Sequence, residues 1–344
     1  MTKTVIYSCV FLNEKYINLI NLLLKSYKLF GNSSDDIDYL IICNPDFQEK
    51  IQEIFDSLNI NGKIWCLDLE TLLEAGYSRL KIFYYPDINL YNKILYLDCD
   101  ILITNSINNL LDFPLDNKLY ALEEGTTGHE YWGWQFFDNN PNCSAFTSGI
   151  LLFNNNIIIK DLFSKILLHI DNHIINNLPI PFCLDQPFIV FHAIKNNLYD
   201  NQKLINLVIN NPNKFNGETI SHFPGGEGPG DYGSKIHKMG NFMRNIMFNL
   251  NKNNENNTVL ENTKYIWGSS TIQFLENGIM DAFGPGKYNT IDKYLAKCDF
   301  GYREHLLKFN KDYSIFISVR KDDFEVVLGS KYEKKLIPRI IMQI

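Results

Sequence analysis

Asn92-Lys93-Ile94-Leu95-Tyr96-Leu97-Asp98-Cys99-Asp100-Ile101-Leu102-Ile103 is the stretch on which the reading of this chain turns. Two carboxylates interrupt an otherwise apolar run. Burying either one unpaired is costly, so each needs a strong partner. In extended chain, residues i and i+2 point the same way, which lets Asp98 and Asp100 face one target. A hard divalent cation suits them, because carboxylate oxygens are natural ligands for Mg²⁺ and Mn²⁺. The competing reading is a pair of solvated carboxylates at the end of a strand.

Upstream of this stretch, strand and helix patterns alternate. Val5 to Phe11 is β-branched and aromatic, and Tyr39 to Cys43, Lys63 to Leu67 and Lys93 to Leu97 follow as further strands. Between them, Tyr16 to Phe30 carries Ile17, Ile20, Leu23, Leu24 and Tyr27 at helical spacing and ends at Gly31. Gln48 to Leu58 and Arg79 to Tyr85 also read as helices, the second stopped by Pro86. The alternation predicts an α/β fold with a mostly parallel sheet covered by helices on both faces. In such a sheet the ligand site lies beyond the carboxyl ends of the strands.

Downstream, residues 241–262 are polar and rich in Asn. The pattern then changes to short strands with turns: Thr271 to Leu275 before Asn277-Gly278, a break at Gly284-Pro285-Gly286, then Ser314 to Val319 and Asp323 to Leu328 before Gly329. The expected organisation is a catalytic domain over 1–245, a linker over 246–262 and a small antiparallel β domain over 263–344. Trp267, Phe274, Phe283, Phe300, Phe309 and Phe316 are expected to form the core of that last domain. A homodimer contact or a role in positioning a substrate is open to it.

Of the 344 residues 45% are hydrophobic and 21% charged, which is enough apolar surface for a sizeable core. A formal net charge of -7 argues against a broad nucleic-acid surface. The seven cysteines are scattered without a CxxC pair, so neither a disulfide framework nor a zinc site is expected. The first residues lack a signal-peptide core, and no segment has the apolar length of a membrane span. These features lead to the expectation of a cytoplasmic protein.

Tyr77-Ser78-Arg79-Leu80, followed by Lys93 to Leu102 with its two aspartates, resembles glycosyltransferase family 8. That family includes glycogenin, bacterial lipopolysaccharide galactosyltransferases and galactinol synthases. The resemblance covers about residues 4 to 240 through motifs in the family's order. It implies a GT-A fold (the nucleotide-diphospho-sugar transferase fold), a UDP-sugar donor, Mn²⁺ with Mg²⁺ as a second choice, and retention of anomeric configuration.

Further motifs carry implied roles. Asn13-Glu14-Lys15-Tyr16 is similar to the family's Asn-Asp-x-Tyr turn, in which Tyr16 would stack on uracil, with Asn13 beside the donor. Arg79 would lie near the diphosphate and the metal carboxylates, and Cys99 within the Asp pair beside the donor. Phe146-Thr147-Ser148-Gly149 corresponds to a Phe-Asn-x-Gly strand that contacts the donor sugar. Thr147 replaces the family's Asn, so sugar selectivity does not transfer. Glu124 would supply an acidic substrate contact.

Leu184-Asp185-Gln186-Pro187 matches an Asp-Gln pair, with Asp185 and Gln186 as the catalytic candidates at the anomeric carbon. His222-Phe223-Pro224-Gly225 looks like the family's His-x-x-Gly, which makes His222 the third protein ligand of the metal after Asp98 and Asp100. The family's Lys three residues past that Gly is replaced by Gly228. Lys235 or Lys238 is left to meet phosphate, with backbone N–H groups around Gly225 and Gly226.

The implied reaction moves a hexose, glucose or galactose, from a UDP-sugar to a glycan or protein acceptor that the sequence does not identify. Two other readings are a sugar nucleotidyltransferase, which would release pyrophosphate, and a non-catalytic carbohydrate-binding protein on the same scaffold.

Overall fold

The computed structural model describes residues 3–31, 36–137, 142–225, 232–249 and 260–332. It divides into two compact units, Met1–Met239 and Gly240–Ile344. No helix among the described residues is long and apolar enough to cross a membrane.

The first unit opens with β1 (Thr4–Val10), α1 (Lys15–Phe30), β2 (Ile37–Cys43), α2 (Gln48–Leu58) and β3 (Gly62–Cys66). Next comes α3 (Leu72–Tyr77), started by a capping box in which Thr71 and Glu74 each take the other's backbone N–H. A 3₁₀ helix, Ser78–Tyr84, replaces the α-helix expected over Arg79 to Tyr85. Then follow β4 (Lys93–Leu97), β5 (Ile101–Ile103), α4 (Asn108–Leu111), β6 (Leu119–Tyr120), β7 (Glu123–Thr126), β8 (Ser144–Phe146), β9 (Ile150–Asn154), α5 (Ile157–Ile175), α6 (Gln186–Lys195), β10 (Tyr199–Asp200), β11 (Val208–Asn210) and β12 (Ile220–His222).

Seven strands form the main sheet in the order β10-β6-β9-β4-β1-β2-β3. β4, β1, β2 and β3 run parallel, as expected, whereas β9 is antiparallel to both β4 and β6. The apolar runs of β4 and β9 are buried almost throughout, as strands covered on both faces must be. Phe163, Ile166 and Ile170 of α5 and Phe188 to Val190 of α6 join Tyr7, Ile94 and Phe153 in one apolar cluster. A second sheet, β11-β12-β5, stands beside the end of β4.

Helix α7 (Tyr232–Asn249) contains the boundary between the units, and it extends four residues into the expected linker. Residues 250–259, the middle of that linker, lie outside the described residues. In the second unit the Arg244 guanidinium on α7 donates to the Val319 carbonyl at 2.8 Å.

The β domain is a closed antiparallel barrel of eight strands, from β13 (Thr263–Trp267) to β20 (Val326–Lys331), with β20 paired back to β13. Tyr265, Phe274, Phe309 and Phe316 fill it. The expected stop at Gly329 is corrected by the structure, which continues β20 through that glycine. A Cβ there would fall 2.1 Å from the Phe316 ring, so the glycine makes room for a core aromatic within the strand. Phe283 is a second correction: it is 64% exposed, with Trp267 behind it, and not part of the core.

Candidate active site

Strand register brings the carboxylate pair to its neighbours. Leu97 pairs with Ile150 across β4 and β9, and one residue further the Asp98 N–H donates to the Gly149 carbonyl at 2.8 Å. Directly after Asp100 the chain enters β5, where Ile101 pairs with His222 of β12. On the other edge of β12, His222 pairs with Asn210, whose side-chain oxygen lies 2.9 Å from His222 Nδ1. Three segments far apart in sequence therefore place Asp98, Asp100 and His222 together, with one ligand atom from each inside a 4.8 Å span.

The electrostatics of this cluster are unbalanced in a way that suits a cation. Asp100 Oδ1 and His222 Nε2 lie 3.4 Å apart, both buried and both without a hydrogen-bond partner. Orphaned buried atoms of this kind are costly unless something else meets them. Gly149 closes the cradle: a Cβ there would sit 2.6 Å from His222 Cε1 and 2.9 Å from Asp98 Oδ2, inside the space the three ligands face. Two carboxylates and an imidazole fit Mn²⁺ better than Mg²⁺. Burial pushes the Asp100 carboxyl up, but the Lys235 ammonium, 2.7 Å away, holds it below the usual carboxylate range, and the His222 ring, whose Nε2 makes no hydrogen bond, adds to this only when it is protonated.

Arg79 ties this cluster to Asp185. Its Nη1 lies 3.2 Å from Asp98 and donates to the Ser148 carbonyl at 2.8 Å, and its guanidinium stacks on the Tyr96 ring at 4.6 Å. Its Nε stands 3.1 Å from Asp185 Oδ2 but directs its hydrogen to the Gly76 carbonyl. Asp185 is only 2% exposed, and burial pushes its carboxyl up to about 6, the Arg79 guanidinium pulling the other way and the Asp98 charge adding to the rise.

Leu184, the residue before Asp185, adopts φ +52°, an uncommon left-handed conformation for a branched side chain. Gly76 leaves room for it, since a Cβ on Gly76 would lie 3.2 Å from Leu184 Cβ. Gln186 opens α6 and accepts from the Ser148 N–H at 2.9 Å, while its amide donates to the Tyr131 carbonyl at 3.0 Å.

The other expected site residues are placed as follows. Thr147 is buried and its hydroxyl accepts from the Gly149 N–H at 3.3 Å. Tyr16, at the start of α1, is 44% exposed; the covered part of its side chain raises the phenol, with Cys99, Asp100 and Asp98 adding to the rise and the Lys235 charge opposing it. Asn13 caps the Lys15 N–H at 3.0 Å in the turn just before it, and the neighbouring Glu14 pairs with Lys50. The Cys99 side chain is buried and donates to the Cys9 carbonyl, away from the ligand atoms. Gly225 has φ +92° with open space around it, and Lys238 is exposed. Gly226 and Gly228 lie outside the described residues. Glu124 is half-buried on β7, close enough to join Asp185 and Glu130 in raising the Cys183 thiol, behind burial, to about 11.

Two supporting residues escaped the sequence reading. Tyr96, whose hydroxyl donates to Asp98, stands two residues before it on the same face, a spacing that could have revealed it. Asn210 gave no signal, because only the β11–β12 register sets it beside His222.

Residues 4–198, more than half of the chain, match the model of glycosyl transferase family 8. Arg79, the Asp pair, Gly149, Asp185 and Gln186 lie inside that span; His222 and Lys235 lie beyond it. The glycosyltransferase GlyA of Streptococcus pneumoniae serotype 4 is 26% identical over 121 residues, 35% of this chain and 16% of GlyA.

Among solved structures, the bifunctional glycosyltransferase WbbM is 16% identical with a TM-score of 0.48, over 70% of this chain and 50% of WbbM. GlyE of S. pneumoniae gives 18% and 0.40, over 58% of this chain and 45% of GlyE. The galactosyltransferase LgtC, solved with donor and acceptor sugar analogues, gives 17% and 0.47, over 70% of this chain and 96% of LgtC. The match spans half or less of GlyA, WbbM and GlyE. On the span of the family model, with the Asp pair and the Asp185-Gln186 pair inside it, this chain belongs to glycosyltransferase family 8.

Proposed function

We propose that the chain is a retaining hexosyltransferase that takes glucose or galactose from a UDP-sugar and depends on a divalent metal, Mn²⁺ by preference. The observation that carries this reading is the orphaned Asp100 Oδ1 and His222 Nε2 beside Asp98, in a cradle kept open by Gly149. Asp98, Asp100 and His222 would hold the metal. When bound, it supplies positive charge to the leaving diphosphate.

The chain's own residues supply the rest. Arg79 holds Asp98 and Asp185 at fixed separation and offers a second positive charge to the diphosphate. Tyr16 offers a ring face to the uracil, and Asn13 shapes its turn. Lys235 is the phosphate-binding lysine in this reading, because its ammonium already reaches the cluster, with Lys238 and the backbone at Gly225 further along the same loop and helix. Asp185, buried and raised to about 6, stabilises the positive charge that develops on the sugar as its bond to the diphosphate breaks, and Gln186 positions Ser148 beside it by accepting from its N–H. Thr147 and Glu124 are the candidates for contact with sugar hydroxyls.

The test is product analysis with Mn²⁺ and a panel of UDP-sugars. The expected result is release of UDP from UDP-glucose or UDP-galactose, abolished by a chelator. Release of pyrophosphate would assign a nucleotidyltransferase instead, and UDP-sugar binding that is never followed by turnover with any acceptor would assign a carbohydrate-binding protein.

A further inference from the structure

The two oxygens of Asp98 meet different surroundings. Oδ2 and His222 Nε2 each lie 2.9 Å from the point where a Cβ on Gly149 would stand, so that oxygen belongs to the cradle. Oδ1 meets donors instead. The Tyr96 hydroxyl donates to it, and Arg79 Nη1 lies 3.2 Å from it. A carboxylate oxygen offers two lone pairs, and on Oδ1 each has a positive partner.

Tyr96 is held firmly in this place. It is 2% exposed on β4, its ring lies 5.0 Å from that of Tyr7 on β1, and the Arg79 guanidinium sits over it at 4.6 Å. The Tyr7 hydroxyl in turn donates to the Arg79 carbonyl at 2.8 Å. Tyr96 and Asp98 are two positions apart where the strand ends, so their side chains leave the backbone on the same side. Ring, guanidinium and carboxylate form one packed unit.

Asp100 is divided in the same way. Its Oδ2 lies 2.7 Å from the Lys235 ammonium, and its Oδ1 faces His222 Nε2 at 3.4 Å. Each carboxylate therefore has one oxygen engaged and one left for the cradle. Ca²⁺ takes roughly six to eight oxygen ligands and commonly binds a carboxylate through both oxygens, whereas a smaller octahedral cation needs one oxygen from each.

We infer that Tyr96 is a positioning residue for the metal: its hydroxyl holds Asp98 to ligation through one oxygen and so sets the preference of the cradle for a small octahedral cation over Ca²⁺. This rests on the metal-dependent reading above. The plainer role of that hydroxyl is to satisfy a buried phenol, which needs an acceptor. The two roles differ in what they predict. Loss of a structural bond weakens every cation alike, whereas release of Oδ1 changes their ratio.

The experiment measures Mn²⁺ and Ca²⁺ affinities of the full chain by calorimetry, and competition between them by the paramagnetic resonance of free Mn²⁺. It compares the unaltered chain with Tyr96→Phe and Tyr39→Phe. The first variant keeps the ring under Arg79 and removes only the hydroxyl. The second removes another buried hydroxyl of the same sheet, which lies 3.1 Å from the Ser8 hydroxyl. The expected result in Tyr96→Phe is Mn²⁺ binding weaker by about tenfold or more and Ca²⁺ binding unchanged or tighter, so that the ratio of affinities falls at least about tenfold. Tyr39→Phe should keep the ratio of the unaltered chain.

Equal losses for the two cations in Tyr96→Phe, or an unchanged ratio, would overturn the inference. Should that variant fail to fold, the unaltered chain still decides: Mn²⁺ is expected to stay bound at an equal concentration of Ca²⁺, and its displacement would overturn the inference. Binding of neither cation by the unaltered chain is a separate result, since it removes the metal-dependent reading and this inference with it.

Discussion

At the scale of single residues, the site depends on what is missing as much as on what is present. Gly149 bears no side chain at the one place where a methyl group would enter the space between His222 and Asp98. Gly149→Ala is therefore expected to lower Mn²⁺ affinity at least about tenfold, with secondary structure unchanged by circular dichroism. Retained metal binding in that variant would show that the cradle lies elsewhere. Asn210 acts one step further out, fixing the imidazole through Nδ1 so that Nε2 faces Asp100. Asn210→Ala should cost about 10- to 100-fold in Mn²⁺ affinity by calorimetry, as loss of a group that orients a ligand usually does.

At the scale of elements, the first hundred residues are legible because their strands and helices obey simple periods. The strands fall within one or two residues of their expected positions, and Gln48–Leu58 is helical as expected. The 3₁₀ geometry of Ser78–Tyr84 and the antiparallel placement of β9 are not legible, since both are set by packing and pairing with distant chain. Asp98 and Asp100 can be proposed from sequence alone because two carboxylates in an apolar run demand a reason, whereas Asp185 is reached only through the resemblance of its Asp-Gln pair to the family's motif. The stacking of Phe182 on Tyr131 is not legible either, since the two residues lie 51 positions apart and an exposed aromatic carries no pattern.

The barrel makes its own prediction. His305 is buried against Trp267 and Phe300 with Nδ1 unpartnered, and burial, with Arg320 adding to it, pushes its pKa down to about 4. The native state thus holds fewer protons than the unfolded chain, whose histidine titrates near about 6.5. Stability from this group is complete above about pH 6.5 and is lost as pH falls toward about 4. Thermal unfolding followed from about pH 7 to about pH 5 should show a fall in Tm that is smaller in His305→Leu. Equal falls in the two proteins would place the titrating group elsewhere.

At the scale of the whole molecule, the two units carry separate cores, one on the mixed sheet and one inside the barrel. The proposed metal ligands and Asp185 all belong to the first unit. A ligand stabilises what binds it, by about 2.7 kcal/mol at a hundredfold excess over Kd. Mn²⁺ with UDP should therefore raise the calorimetric transition of the first unit and not that of the barrel; equal shifts in both would show that the barrel shares the ligand.

In the proposed function, Asp98, Asp100 and His222 would hold a divalent cation on which binding of the nucleoside diphosphate depends. The most direct measurement is the affinity of the full chain for UDP by calorimetry, with Mn²⁺ and with chelator, beside Asp100→Ala. Binding is expected to need Mn²⁺ and to weaken at least about tenfold, or about 1.4 kcal/mol, in Asp100→Ala. UDP affinity indifferent to the chelator and to that substitution would contradict it.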